Sequence, residues 1–201
     1  MNEGLFTVLM VCTGNIGRSP MMERLMRREL VVRQRSDATP VTVTVTSAGT
    51  LAQLGRPMEP GAQHALTDLG VDADDFGATP LTSAAVTSSD LILVATRDHR
   101  SAVVGLLPAA VRRTFTLLEL ARIAESAPPR PGAVPDASLT LTSQGLRDAV
   151  AWAAQVRGSV PRPERDDADD LADPLGEPDG VYRQRAATVA VSVERIVRYL
   201  L

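Results

Sequence analysis

The sequence predicts an α/β fold of three layers, in which helices cover both faces of an open, four-stranded parallel sheet. Strand-like and helix-like segments alternate along the chain, and this order favours parallel strands joined by helices. The first strand-like run, residues 5–11, is almost continuously apolar, as is typical of a strand buried on both faces. A length of 201 residues fits one domain that spans residues 1–201.

Four segments have the composition of β-strands. The runs at 5–11 and 91–95 are apolar throughout or nearly so, which indicates central strands. The run at 41–46 alternates valine with threonine, so we expect it nearer a sheet edge, followed by a loop at 47–50. A shorter fourth strand is expected at 114–118.

Helices are predicted between these strands by apolar residues at helical spacing. The first begins at Ser19-Pro20, because serine caps free amides and proline suits the first helical position. Asp179 is a candidate cap for the last helix. The remaining helices are expected at 60–70, around 102–107, and from 182 to 200.

Residues 126–168 differ from the rest of the chain. Proline-rich stretches flank one predicted helix at 144–156, which contains Trp152 as an expected packing anchor. We interpret 126–168 as a loop-plus-helix insertion within the single domain.

Composition and charge exclude several classes of protein. A net charge of −3 argues against broad nucleic-acid binding. No apolar run reaches the roughly 18–20 residues that cross a bilayer, and the run at 5–11 lacks a preceding basic region, so we expect a cytoplasmic protein without membrane contact. The single cysteine, Cys12, excludes an internal disulfide or a multi-cysteine metal site.

The segment after the first strand has the composition of an anion-binding loop. Five residues separate Cys12 from Arg18, and a helix is predicted to begin directly after them. Glycine and asparagine permit the turns that bring successive amides inward, where the helix N-terminus adds positive charge. The candidate phosphate-binding residues are Thr13, Gly14, Asn15, Ile16, Gly17, Arg18 and Ser19.

Two side chains of this loop suit phosphoryl chemistry. The Arg18 guanidinium can bind two phosphate oxygens, and the surrounding positive potential favours a nucleophilic thiolate at Cys12, to which Ser19 can donate. A lone cysteine after a strand is more often an inert core residue. The glycines, the asparagine and the Ser-Pro pair at a strand-to-helix junction favour the phosphate loop instead.

These residues resemble the low-molecular-weight protein tyrosine phosphatases, whose signature is a Cys-x5-Arg-Ser loop, often with Gly-Asn-Ile inside and Ser-Pro after it. Asp173-Pro174 matches the family's late Asp-Pro pair, and Ser47 matches a serine that braces Asn15. The resemblance covers about residues 5–125 and 169–201. It implies a flavodoxin-like fold of the phosphotyrosine protein phosphatase I type.

The resemblance also implies a reaction. Cys12 would attack phosphorus, Arg18 and the loop amides would bind the phosphate, and Asp173, held by Pro174, would act as general acid and then base. The substrate would be a phosphorylated protein or a small phosphomonoester, with phosphotyrosine favoured, and no metal or cofactor is required. Two alternatives are a thiol-dependent arsenate reductase and a non-catalytic phosphate-binding regulatory protein.

Some positions depart from the family pattern. Leu175 follows the Asp-Pro pair in place of an aromatic residue, so an aryl-binding wall is expected to be missing unless Tyr182 supplies it. Ile16 is of the phosphotyrosine type, whereas phosphoarginine phosphatases of the family tend to have threonine there. Leu69 replaces a histidine of the bracing network, which we therefore expect to be incomplete.

Other polar residues are expected to lie at the surface. We interpret His64 and His99 as surface or helix-start residues. An acidic run is usually a solvated face, and this applies to Asp166, Asp167, Asp169 and Asp170.

Hydrogen peroxide is expected to inactivate the protein without recovery. Gly17 occupies the place where many family members have a second cysteine, so Cys12 has no internal thiol with which to form a protective disulfide. The measurement is phosphatase activity after peroxide treatment and its removal by catalase, with and without an added small thiol. Full recovery without thiol would contradict the prediction.

Overall fold

The sheet follows the predicted architecture. The computed structural model describes residues 4–34, 41–130, 142–165 and 167–201, so Asp166 and residues 131–141 of the expected insertion lie outside the described residues. Within those ranges the sheet is four-stranded and parallel, in the order β2-β1-β3-β4. The strands are β1 Leu5–Cys12, β2 Thr42–Gly49, β3 Leu91–Val94 and β4 Thr114–Thr116.

Helices alternate with these strands and continue after them. They are α1 Arg18–Gln34, α2 Pro60–Asp68, α3 Ser83–Ser88, α4 Arg97–Leu106, α5 Leu117–Ser126, α6 Ser143–Val156 and α7 Asp179–Leu200, with a 3-10 helix at Pro108–Arg113. None of the helices in these parts of the chain combines the length and apolarity that a bilayer crossing requires.

Helices pack on both faces of the sheet. Because alternate residues of a strand point to opposite faces, β1 contributes to two apolar clusters. Phe6, Val8 and Met10 of β1 join a large apolar cluster with residues of α1, α2, α5, α6 and α7. Leu9 and Val11 join a smaller cluster with Val86 of α3, Val103 of α4 and Ala110 of the 3-10 helix. This double burial explains the continuous apolar run from which β1 was predicted.

The ends of several elements differ from the sequence predictions. β2 continues through Ser47 to Gly49, where a loop was expected, because its pairing with β1 extends to Cys12. The fourth strand stops at Thr116, whose side chain caps α5 in a reciprocal capping box with Glu119. Asp179 is the first residue of α7 rather than its cap, and its carboxylate pairs with His64 at 2.9 Å.

Helix α6, from the expected insertion, lies at the amino ends of the strands. Its Arg147 donates to the carbonyl of Leu5 at 2.9 Å and to Asp90, which in turn accepts from the amide of Thr7. Trp152 of α6 is partly buried against the large cluster and donates to the carbonyl of Pro128, consistent with its expected packing role. The helix therefore supports the amino ends of the strands, at the opposite end of the sheet from Cys12.

The strand order places a crevice at the carboxyl end of β1. The chain moves from β1 to one neighbour, β2, and later adds β3 and β4 on the other side of β1. In open α/β sheets ligands bind where the strand order reverses in this way. Cys12 is the last residue of β1, so the 12–19 loop begins at that point.

Gly49→Ala is expected to destabilise the protein, because a Cβ at Gly49 would lie 2.5 Å from the Thr13 carbonyl oxygen and 2.8 Å from the Asn15 amide nitrogen. Overpacking against backbone costs about 1–3 kcal/mol, which urea denaturation would detect as a lower free energy of unfolding. Gly105→Ala is the control, since its Cβ would meet nothing within 4 Å and alanine favours a helix. Equal stability of Gly49→Ala and the wild type would contradict the close packing.

Candidate active site

The 12–19 loop is shaped by Asn15, which is fully buried and has a left-handed backbone with φ of 53°. Its side-chain oxygen accepts from the amide of Thr79 at 2.7 Å, and this backbone donor fixes which way the amide group faces. Its nitrogen then donates to Ser19 Oγ at 2.9 Å and to Ser47 Oγ at 2.8 Å. The predicted bracing by Ser47 is therefore present in the structure.

Because the Asn15 amide donates to both Ser47 and Ser19, each serine can donate its own hydroxyl proton to a further group. Ser47 accepts from Asn15, so its own proton goes to the carboxylate of Glu23. Ser19 likewise accepts from Asn15, which leaves its hydroxyl proton for the Cys12 sulfur at 3.0 Å or the carbonyl of Ala48 at 3.4 Å. The shorter of these two contacts allows Ser19 to direct a donor at a thiolate on Cys12.

Glu23 completes the network that Leu69 was expected to leave incomplete. It projects from α1, is 6% exposed, and pairs with Arg27 one turn later at 2.7 Å. Arg27 also donates to the carbonyl of Val45 in β2. A carboxylate on α1 therefore supports the serine, while Leu69 is partly exposed at the end of α2.

Arg18 is 6% exposed and its guanidinium has three described partners. One terminal nitrogen donates to the carbonyl of Leu171 at 3.2 Å, and the other lies 3.3 Å from Thr13 Oγ1 and 2.6 Å from Asp173 Oδ2. The Arg18–Asp173 contact joins the two motifs from opposite ends of the sequence. The Asp173 side chain is half exposed.

Two acidic residues dock the segment that carries Asp173. Asp170 accepts from the backbone amide and side chain of Arg97 at the start of α4, and Asp169 pairs with Arg122 of α5 at 2.6 Å. The expectation of a solvated acidic face is wrong for these two residues. Asp167 matches it better, since both it and its partner Arg165 are largely exposed.

His99 was expected at the surface, but it is 7% exposed. Its Nε2 lies 2.9 Å from Thr13 Oγ1 and its Nδ1 lies 2.7 Å from Thr96 Oγ1. Burial, with the charge of Arg18 adding to it, lowers the pKa of His99. His99 therefore lies directly behind the 12–19 loop. Of the two positions expected for it, the one at the start of a helix agrees with the structure.

A cavity opens in front of the loop. Its floor is formed by Cys12, Thr13, Gly14, Ile16, Gly17 and Arg18, while Asn15 and Ser19 bond to each other behind the loop. Its walls are formed by Arg56, Glu59, Asp173, Pro174, Leu175 and Tyr182. The Tyr182 ring packs on Gly61, where a Cβ would come within 2.5 Å of it.

Two carboxylates of the cavity, Glu59 and Asp173, influence the Tyr182 phenol. Burial raises the pKa of the Tyr182 phenol, and the nearby Glu59 and Asp173 carboxylates add to the effect. Glu59 is itself paired with Arg56 at 2.8 Å. Tyr182 therefore faces the cavity as a neutral aromatic ring.

A loop with a buried cysteine and arginine at the carboxyl end of a parallel sheet, facing an aspartate across a cavity, is characteristic of the cysteine-dependent phosphatases. The family model described as low molecular weight phosphotyrosine protein phosphatase matches residues 7–128. The chain belongs to this family.

Individual relatives agree with the family match. The chain is 32% identical over 155 residues to a probable low molecular weight protein-tyrosine-phosphatase, EpsP, of Ralstonia nicotianae, and the match covers 75% of this chain and 96% of EpsP. It is also 32% identical over 112 residues to the protein-arginine-phosphatase of Bacillus subtilis, covering 56% of this chain and 70% of that protein. The crystal structure of a YwlE mutant from Bacillus subtilis superposes with a TM-score of 0.66 at 22% identity, covering 96% and 97% of the two chains. That last likeness shows the shared fold.

Glu23→Ala is expected to lower the free energy of unfolding by about 1–3 kcal/mol, because it leaves the buried Ser47 hydroxyl without its acceptor. Glu23→Gln keeps an acceptor and is expected to lose less. The measurement is urea denaturation, with Glu194→Ala as control, since the exposed Glu194–Arg198 pair contributes only about 0.3–0.5 kcal/mol. Equal losses in Glu23→Ala and Glu194→Ala would show that Glu23 does not support the loop.

Proposed function

We propose that the protein hydrolyses phosphomonoesters through a phosphocysteine intermediate, with phosphotyrosine in proteins as the preferred substrate. The observation that carries this proposal is the position of Asp173. It lies in the same cavity as Cys12, and its carboxylate is 2.6 Å from a nitrogen of Arg18. A nucleophile, a cation for the phosphate and a group that can move a proton therefore face one space.

In the first step Cys12 Sγ attacks phosphorus as a thiolate, so an S–P bond forms while the bond from phosphorus to the ester oxygen breaks. Ser19 donates to the sulfur, and the 12–19 amides and the N-terminus of α1 supply positive potential. Arg18 and the loop amides stabilise the negative charge on the three equatorial oxygens in the transition state.

Asp173 handles the proton in both steps. As an acid it protonates the departing oxygen, which leaves as an alcohol or phenol. As a carboxylate it then takes a proton from the water that attacks phosphorus, the S–P bond breaks, and the thiolate returns with release of inorganic phosphate. Pro174 restricts the backbone of Asp173 to extended geometry, which supports a defined position for the carboxyl group.

The cavity walls favour an aromatic ester. Ile16, Leu175 and the Tyr182 ring provide apolar surface beside the phosphate position, and an aromatic pair contributes about 0.5–1.5 kcal/mol beyond burial. Tyr182 can thus replace the aromatic wall that the sequence lacks around Asp173. The isoleucine at position 16 matches the phosphotyrosine type of the family, and EpsP is named for that activity.

Two features favour a phosphatase over the alternative functions, and a third favours the cytoplasm. An acidic segment displaced from the cavity would have favoured a non-catalytic phosphate-binding protein, whereas Asp173 lines the cavity. Cys12 is the one cysteine of the chain, which disfavours an arsenate reductase that relays electrons through further protein thiols. A reactive thiol without a protective partner fits a reducing compartment.

Cys12→Ser is expected to abolish turnover of an aryl phosphate, and Asp173→Asn to lower kcat by about 10²–10⁴-fold with a phenolic leaving group. The loss in Asp173→Asn should be smaller with a nitrophenyl leaving group, which departs without protonation. Asp167→Asn is the matched control, because it removes an exposed carboxylate from the same acidic segment. Steady-state kinetics on phenyl phosphate, p-nitrophenyl phosphate, a phosphotyrosyl peptide and phosphoarginine give the readout.

Three results would count against the proposal. A folded wild type that turns over none of the four substrates would remove the enzymatic function. Equal rates for Asp173→Asn and Asp167→Asn on phenyl phosphate would remove the general acid. Faster hydrolysis of phosphoarginine than of the phosphotyrosyl peptide would overturn the substrate preference.

A further inference from the structure

His99 connects the helix after β3 to the arginine of the 12–19 loop through one hydroxyl group. Thr13 Oγ1 lies 2.9 Å from His99 Nε2 and also accepts from the Arg18 Nη2 group at 3.3 Å. The same Arg18 nitrogen faces the cavity and contacts Asp173. The Thr13 hydroxyl is therefore one of the groups that hold the Arg18 edge that would meet a phosphate.

The imidazole is held at both of its nitrogens. Thr96, which precedes α4, places its hydroxyl 2.7 Å from Nδ1, and it makes this contact in place of a side-chain bond that caps the helix. Asp170 supplies the missing cap by accepting from the amide of Arg97. The ring thus has a fixed orientation: Nδ1 is bonded to Thr96, just before its own helix, and Nε2 is directed at Thr13 of the loop.

Charges around the ring favour its neutral form. Arg18 opposes a second positive charge behind the same hydroxyl, and burial acts in the same direction, while Asp98, Asp170 and Asp173 act against them. A neutral imidazole has one N–H and one lone pair, so it can either donate to the Thr13 oxygen or accept its proton. In both tautomers His99 is hydrogen-bonded to the Thr13 hydroxyl, and the Thr13 oxygen can still accept from Arg18.

We propose that His99 is a positioning residue for the phosphatase reaction: by bonding Thr13, it holds the Arg18 guanidinium in the orientation that binds the substrate phosphate. This inference rests on the proposed function, because it concerns the arginine that stabilises the transferred group. The residue touches neither the cavity nor a reacting atom, and it acts through the Thr13 hydroxyl.

The ring has two functions that substitutions can separate. Asparagine at position 99 places its amide near the position of Nδ1, so it can keep the contact with Thr96 while losing the contact with Thr13. Glutamine extends to the position of Nε2, so it can keep the contact with Thr13 while losing the contact with Thr96. A role confined to α4 would favour His99→Asn, and positioning of Arg18 would favour His99→Gln.

The first measurement is the affinity for inorganic phosphate by calorimetry, made in a Cys12→Ser background so that it does not depend on turnover. We expect His99→Asn and Thr13→Val each to weaken phosphate binding about tenfold, the usual effect of losing one hydrogen bond at a charged site. His99→Gln and Thr13→Ser should stay within about threefold. His64→Asn is the control, since His64 is an exposed histidine paired with Asp179, and should not change the affinity.

The second measurement is kcat/KM in the active protein for the single variants and for the double variant Thr13→Val/His99→Asn. If both residues act through one hydroxyl, the double variant should be no slower than the slower single variant. Multiplied losses in the double variant would overturn the proposal. So would unchanged phosphate affinity in His99→Asn, or equal affinities for His99→Asn and His99→Gln. A wild type that binds phosphate without turnover would instead count against the proposed function, and the affinity series would still test His99.

Discussion

The shape of the site depends on the buried amide of Asn15. An amide group with no access to water destabilises a protein unless each of its donors and acceptors is bonded, and here Ser19, Ser47 and the amide of Thr79 supply the partners. These partners come from α1, from β2 and from the segment before α3. Contacts from all three elements therefore stabilise the left-handed turn at Asn15, so the loop geometry depends on the packing of the fold around it. Donors for an anion are then oriented before any ligand arrives, which is the arrangement that electrostatic catalysis requires.

The contact between Arg18 and Asp173 occupies the guanidinium edge that a phosphate would use in the proposed reaction. Arg18 is nearly inaccessible to water, so in the free protein its charge is compensated by Asp173 as well as by the carbonyl of Leu171 and the hydroxyl of Thr13. A bound phosphate dianion would offer the guanidinium two oxygens and compete directly with the Asp173 carboxylate. In the proposed reaction, the phosphate would thereby release Asp173 from Arg18.

The sequence determined the parts of the site that depend on local pattern. The apolar strand, the small residues after it and the Ser-Pro helix start all lie within residues 5–20, so the loop could be predicted from neighbours in the chain. Asp173 was found because its proline distinguished it from the other acidic residues. Glu23 and His99 were missed because their partners, Ser47 and Thr13, lie 24 and 86 residues away. A signal for His99 did exist: it follows a strand predicted to be central, and Thr96 stands three residues before it.

In the acidic segment, composition alone led to the wrong prediction that Asp169 and Asp170 form a solvated face. Asp169 and Asp170 meet Arg122 and Arg97, which come from helices after β4 and β3 and could not be placed beside them without the strand order. At the other end of the sheet, Arg147 and Arg157 of the 126–168 segment bond the carbonyls of Leu5 and Thr114, where β1 and β4 begin. Arg157 also stacks 4.1 Å from the centre of the Phe115 ring. None of the described residues of this segment lines the cavity, but these contacts hold the amino ends of β4 and of β1, the strand that ends at Cys12.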